Sequence, residues 1–103
     1  MEQYLMTLDD AVKQLKEFCK DGRGCRPKSY DNFYCGVTND LDRRAEEHNA
    51  TFLGHLKAQS AKAALVLEAR MHEEGFCTGK QLGNAAEDSV YVYVYKKNSK
   101  TIE

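Results

Sequence analysis

The sequence predicts an α+β domain in which a small antiparallel or mixed sheet is packed by about three helices. "SVYVYVYKK", Ser89–Lys97, alternates valine and tyrosine without a break, which is the period of a strand and not of a helix. Two other stretches recur at helical spacing, and each opens on a capping residue. At 103 residues the chain is expected to form one domain, 1–103, with a single modest core and the last residues, 98–103, as a frayed tail.

The first helical stretch covers residues 7–20. Thr7 followed by Asp10 resembles a capping arrangement, and Val12, Leu15, Phe18 and Cys19 then form one apolar stripe. "KDGRGCRP" contains two glycines and the only proline, so it leads out of that helix as a loop. Residues 32–37 read as a strand, after which Thr38 or Asn39 can cap a helix over 39–49, with Asp40 in its first turn. Ser60 caps a third helix over 60–75, whose stripe is Ala61, Ala64, Leu65, Glu68, Met71 and His72 and whose stop is Gly75. The closing strand, 89–97, turns its valines to one face and Tyr91, Tyr93 and Tyr95 to the other. Both faces therefore need cover, and the strand is expected to be central.

Composition narrows function. Fifteen basic residues against sixteen acidic ones leave a net charge of −1, so a phosphate site has to be a local patch and not a bulk field. The chain contains no run of eighteen apolar residues and no basic-then-apolar leader, which leads to the expectation of a cytoplasmic protein with no membrane span. Cys19, Cys25, Cys35 and Cys77 are read accordingly as reduced thiols, with Cys35 a small buried side chain of the strand. A zinc site drawing on those thiols with His48, His55 or His72 lacks any CxxC or HxxxH pair to present two ligands from one short segment.

"FYCGVTNDLDRRAEEHN", Phe33–Asn49, concentrates the chemistry. Taken as strand, turn and helix, it places Tyr34 on the strand, Gly36 where the backbone turns or approaches a ligand, and Arg44 on the helix. Arg44 and His48 are four apart and share a helix face, whereas Arg43 points elsewhere. A phenol, a guanidinium and an imidazole over one pocket suit phosphodiester cleavage, which needs a base for water, a fixed cation for the pentavalent phosphate and a proton source or metal for the leaving oxygen. Glu68 is the carboxylate for a divalent cation, because a glutamate on an inward helix stripe is costly unless something pairs with it. Mg²⁺ accepts one protein carboxylate and fills its remaining positions with water or phosphate oxygens.

"YCGVTNDLDRRAEEH" resembles the second half of the GIY-YIG nuclease signature. In that family a Tyr-x-Gly strand leads to a helix with an arginine ten residues after the tyrosine and often a histidine or tyrosine four later. Tyr34, Gly36, Arg44 and His48 match it position by position. "AALVLEARMHEEG" resembles the family's later helix, whose glutamate holds the single metal, and Glu68 takes that place. The resemblance spans residues 30–97 and implies a three-stranded sheet and single-metal hydrolysis of DNA with Mg²⁺ or Mn²⁺. It gives Tyr34 as general base or its partner, Arg44 as phosphate clamp, Glu68 as metal ligand and His48 as auxiliary donor, with Asn84 a further candidate.

The family's first half-motif, a Gly-Ile-Tyr strand about ten residues upstream, has no counterpart here, since that region reads "DGRGCRPKSYDN". Tyr30, Tyr4 or a tyrosine of the last strand replaces the missing phenol, or the site is incomplete. The third strand is sought in residues 3–6 or within 23–30. Three functions remain open at this point: a metal-dependent DNA endonuclease, a catalytically degenerate nucleic-acid binder on the same fold, and a protein-interaction module using the closing strand as an edge.

Overall fold

The computed structural model describes residues 7–20, 23–25, 27–78 and 89–102. Three helices, α1 (Leu8–Glu17), α2 (Leu41–His48) and α3 (Ala61–Glu73), accompany four strands: β1 (Phe33–Thr38), β2 (Gly54–Lys57), β3 (Cys77–Thr78) and β4 (Tyr91–Lys96). The strands form one mixed sheet in the order β2-β4-β1-β3, with β4 antiparallel to both neighbours and β3 parallel to β1.

The helix starts follow from their caps. Thr7 accepts the Asp10 N–H at 3.1 Å and Ser60 accepts the Ala63 N–H at 3.1 Å, each satisfying an orphan donor of a first turn. For α2 the cap is Asp40, which accepts the Arg43 N–H, and not Thr38 or Asn39. Thr38 still belongs to β1, opposite Tyr91, and its hydroxyl accepts the Asp40 N–H at 3.1 Å to turn the chain out of the strand. Asn49 ends α2 at φ 50°, in the left-handed region that Asn tolerates better than most residues.

The sheet has four strands instead of the expected three. Residues 3–6 lie outside the described residues, and the described part of 23–30 contains no strand. The added partners are β2 and β3, from 54–57 and 77–78. Neither is visible as a pattern: "GHLK" has one buried apolar side chain, Leu56, and β3 is two residues long. They are strands because β4 and β1 present them with unpaired backbone groups.

Two layers cover the sheet. Val92 and Val94, with Phe33, Cys35 and Leu56, pack against Val12 and Leu15 of α1 and Ala64, Leu67 and Met71 of α3. The inward stripe of α3 thus includes Leu67 in place of the expected Leu65. His72, also expected on that stripe, is exposed and bonds Thr78 Oγ1 at 3.0 Å. On the other face Tyr34, Tyr93 and Tyr95 pack with Leu41, Ala50 and Phe52. Because β4 is paired on both sides, it offers no free edge to an incoming strand, and strand addition at this element is ruled out.

No helix among the described residues is long and apolar enough to cross a membrane. Where the sequence suggests a frayed tail, residues 98–102 are hydrogen-bonded back to the end of α2.

Gly54 is held against Phe18: a Cβ added there would lie 2.4 Å from the ring. Gly54→Ala is expected to cost about 1–3 kcal/mol by urea denaturation, as overpacking does. In the Phe18→Leu background the same change should cost clearly less, because the two positions share one contact.

Candidate active site

The β1–β4 register creates the site. It sets Tyr34 opposite Tyr95 and Gly36 opposite Tyr93, and side chains two apart on each strand share the face that α2 covers. The Tyr93 ring lies across Gly36, where a Cβ would fall 2.3 Å from Tyr93 Oη, 2.5 Å from its Cζ and 3.0 Å from Tyr34 Cε1. Gly36 is therefore glycine to admit the protein's own phenol, a use that neither a tight turn nor a ligand accounts for.

α2 returns over this face and delivers His48 from its last turn. His48 is buried, with Nε2 2.8 Å from Tyr93 Oη and Nδ1 2.6 Å from the Ile102 carbonyl and 3.1 Å from Tyr95 Oη. Its ring centroid is 5.0 Å from that of Tyr34. Phe52 closes the cluster by stacking on Tyr93 at 4.2 Å.

Arg44, one turn before His48, lies beside the Tyr93 hydroxyl. Nη1 donates to Glu47 Oε1 at 2.7 Å, while Nε is buried with no hydrogen-bond partner. The Glu47 carboxylate, and after it Tyr93, holds the guanidinium firmly protonated. Burial pushes the Tyr93 phenol up, with Arg44 opposing, so the resting phenol is neutral. Arg43 turns away, donating to Asn39 Oδ1 at 3.0 Å.

Glu68 comes from the opposite layer. It is 6% exposed, and among the described residues no hydrogen bond or ion pair reaches it. Burial raises its carboxyl from the usual 4.5 to about 7, against the pull of Arg44. Its charge in turn pushes up the Cys35 thiol, which burial already raises. The carboxylate thus lies within electrostatic reach of both the core strand and the guanidinium.

Tyr34, Gly36, Arg44 and His48 are brought together, with Glu68 coupled to them through Arg44. Tyr30 is not part of the cluster: it stacks on Phe76 at 4.6 Å and packs with the valine-face core. Tyr4 and Asn84 lie outside the described residues. Sequence reasoning named the last-strand tyrosines only collectively; the register singles out Tyr93, and a glycine inside a six-residue strand was the available signal. The Ile102 carbonyl had no signal at all. Two cations outside the cluster are already engaged: Arg70 by Asp9 at 3.1 Å and Glu74 at 3.3 Å, and Lys97, which donates to Cys77 Sγ at 3.0 Å.

Among the described residues no three His, Cys, Asp or Glu side chains gather as a metal site. A single buried carboxylate without a donor nevertheless fits a hard cation that completes its shell with water and phosphate oxygens. An anion beside Arg44 would likewise offer an acceptor to Nε, the one buried donor left over among the described residues.

The folded Glu68 binds its proton more tightly than the unfolded chain does, so stability falls as pH rises from 4.5 to about 7. Glu68→Gln removes that dependence. At about pH 8 in metal-free buffer the variant should be more stable than the parent by roughly 2–3 kcal/mol, and at about pH 4 the difference should vanish. Urea melts across that range measure both.

Comparison with protein-family models, with curated proteins and with solved structures finds no match to this chain.

Proposed function

We propose that this domain hydrolyses DNA phosphodiester bonds at a GIY-YIG-type site built from Tyr34, Tyr93, Arg44, His48 and Glu68. The observation that carries the reading is the approach of opposite groups from two elements: the Arg44 guanidinium, paired with Glu47 but with its Nε left without a hydrogen bond, and the Glu68 carboxyl, raised by burial and lowered by Arg44, with no direct bond between the two. A phosphate with a divalent cation is the ligand whose two charges complete both.

The residues divide the work by their chemistry. Arg44, with 40% of its side chain exposed, is the group at the surface and takes the phosphate, where its fixed charge stabilises the extra negative charge of the pentavalent state. Glu68 would hold Mg²⁺ or Mn²⁺, which would supply Lewis acidity and a more acidic bound water. Tyr34 is the proton acceptor or passes the proton on. Tyr93 is the last-strand tyrosine that supplies a phenol in place of the absent first half-motif. Being fully buried, it acts by holding Arg44 and His48 in place and is a positioning residue.

Supercoiled DNA incubated with the protein should be nicked with Mg²⁺ or Mn²⁺ and left intact with chelator. Arg44→Ala and Glu68→Gln should each lower the rate by about 100-fold or more. Tyr93→Phe should lower it by about 10-fold or more with the amide spectrum preserved. Mg²⁺ should also raise the melting temperature of the parent chain and not of Glu68→Gln. Equal cleavage by parent and Glu68→Gln would sink the assignment.

The deep burial of Tyr34, Tyr93 and His48 favours one second reading, a binder of the same fold that retains Arg44 for phosphate and does not turn over. Salt-sensitive DNA binding lost in Arg44→Ala, with no nicking under any metal, identifies it.

A further inference from the structure

The segment Asn98–Ile102 folds back onto the end of α2. Asn98 nucleates a turn: its Oδ1 accepts the Lys100 N–H at 2.7 Å and the Thr101 N–H at 3.2 Å, and its carbonyl accepts the Thr101 hydroxyl at 3.1 Å. The turn sends the chain back over the C-terminal end of α2. There the Ile102 N–H donates to the His48 carbonyl at 2.7 Å and Asn49 Nδ2 donates to the Lys100 carbonyl at 3.0 Å. The Ile102 carbonyl then meets His48 Nδ1 at 2.6 Å.

A carbonyl oxygen only accepts, so Nδ1 carries the hydrogen of a neutral His48 ring and Nε2 is bare. The Tyr93 hydroxyl, 2.8 Å from Nε2, is then the donor of that bond. With its hydrogen committed to His48, Tyr93 Oη turns its lone pairs toward Arg44, the neighbouring donor. In the other tautomer Nε2 would donate to Tyr93, whose own hydrogen would have to point at a guanidinium. Among the described residues, the groups facing His48 include Tyr34 from β1, Tyr93 and Tyr95 from β4, and Arg44 and Glu47 from α2.

We propose that the C-terminal segment Asn98–Ile102 is a clasp whose Ile102 carbonyl sets the His48 tautomer and so aims the Tyr93 hydroxyl and, through it, Arg44. Ile102 is a positioning residue of the site. The catalytic consequence rests on the function proposed above, whereas the tautomer does not.

The test uses long-range proton–nitrogen correlations of the His48 ring in mildly alkaline buffer, on the full chain and on a chain ending at Lys97. The full chain should show a protonated Nδ1 and a bare Nε2. The shortened chain, with its amide spectrum otherwise preserved, should show Nε2 protonated or the two forms averaged. Asn49→Gly keeps the left-handed backbone, removes only the bond to Lys100, and should move the tautomer in the same direction. It carries the test if the shortened chain fails to fold. On DNA, the shortened chain should lose about 10-fold or more in kcat with KM little changed, and His48→Gln should erase the difference between long and short chains. A protonated Nε2 in the full chain, a tautomer indifferent to both changes, or faster cleavage by the shortened chain would overturn the clasp. Absence of cleavage by the parent chain would count against the nuclease alone, leaving the ring tautomer to decide the clasp.

Discussion

The Tyr93 ring lying across Gly36 is the contact on which the rest of the structure depends. It requires the two residues to be register partners, so it ties the β1–β4 pairing to one alignment. A slip of one residue would turn the tyrosines of β4 into the α1–α3 core and its valines onto α2. The same contact brings a hydroxyl within reach of His48 on one side and Arg44 on the other. Sheet register and site geometry are therefore one constraint.

The two faces of β4 are covered by layers of different character. The valine face is closed by α1 and α3 with branched and aromatic side chains and obeys ordinary close packing. The tyrosine face is closed by a short helix, α2, together with Phe52 and the returning C-terminal segment. Its buried hydroxyls and imidazole must find partners among themselves. His48 does this with both ring nitrogens, Nε2 meeting Tyr93 of β4 and Nδ1 meeting the Ile102 carbonyl with Tyr95 Oη beside it. The layer that is harder to satisfy is the one on which Tyr34, Arg44 and His48 converge.

Glu68 and Arg44 are the exceptions to that satisfaction. Each is buried in part: Arg44 keeps its pair with Glu47 but leaves Nε without a hydrogen bond, and the Glu68 carboxyl lies within electrostatic reach of Arg44 with no direct bond to it. Such groups cost stability unless a ligand completes them. The raised pKa of Glu68 expresses that cost in the protonation equilibrium of a single residue.

The sequence by itself determined whatever depends on neighbours along the chain. The valine–tyrosine division of β4, the caps at Thr7 and Ser60, and the four-residue spacing of Arg44 and His48 are all local periodicities, and each is present in the structure. What only the tertiary structure decided are pairings between distant residues. The choice of Tyr93 among three tyrosines depends on a contact 45 residues away, and the Ile102 carbonyl on one 54 residues away. Tyr30 could not be assigned to a face before Phe76 was placed beside it. β2 and β3 are too short to bear a pattern and exist as strands because neighbouring strands offer them backbone partners. Side-chain periodicity is written in the residue order, whereas hydrogen bonds across a sheet are written only in the register that packing selects.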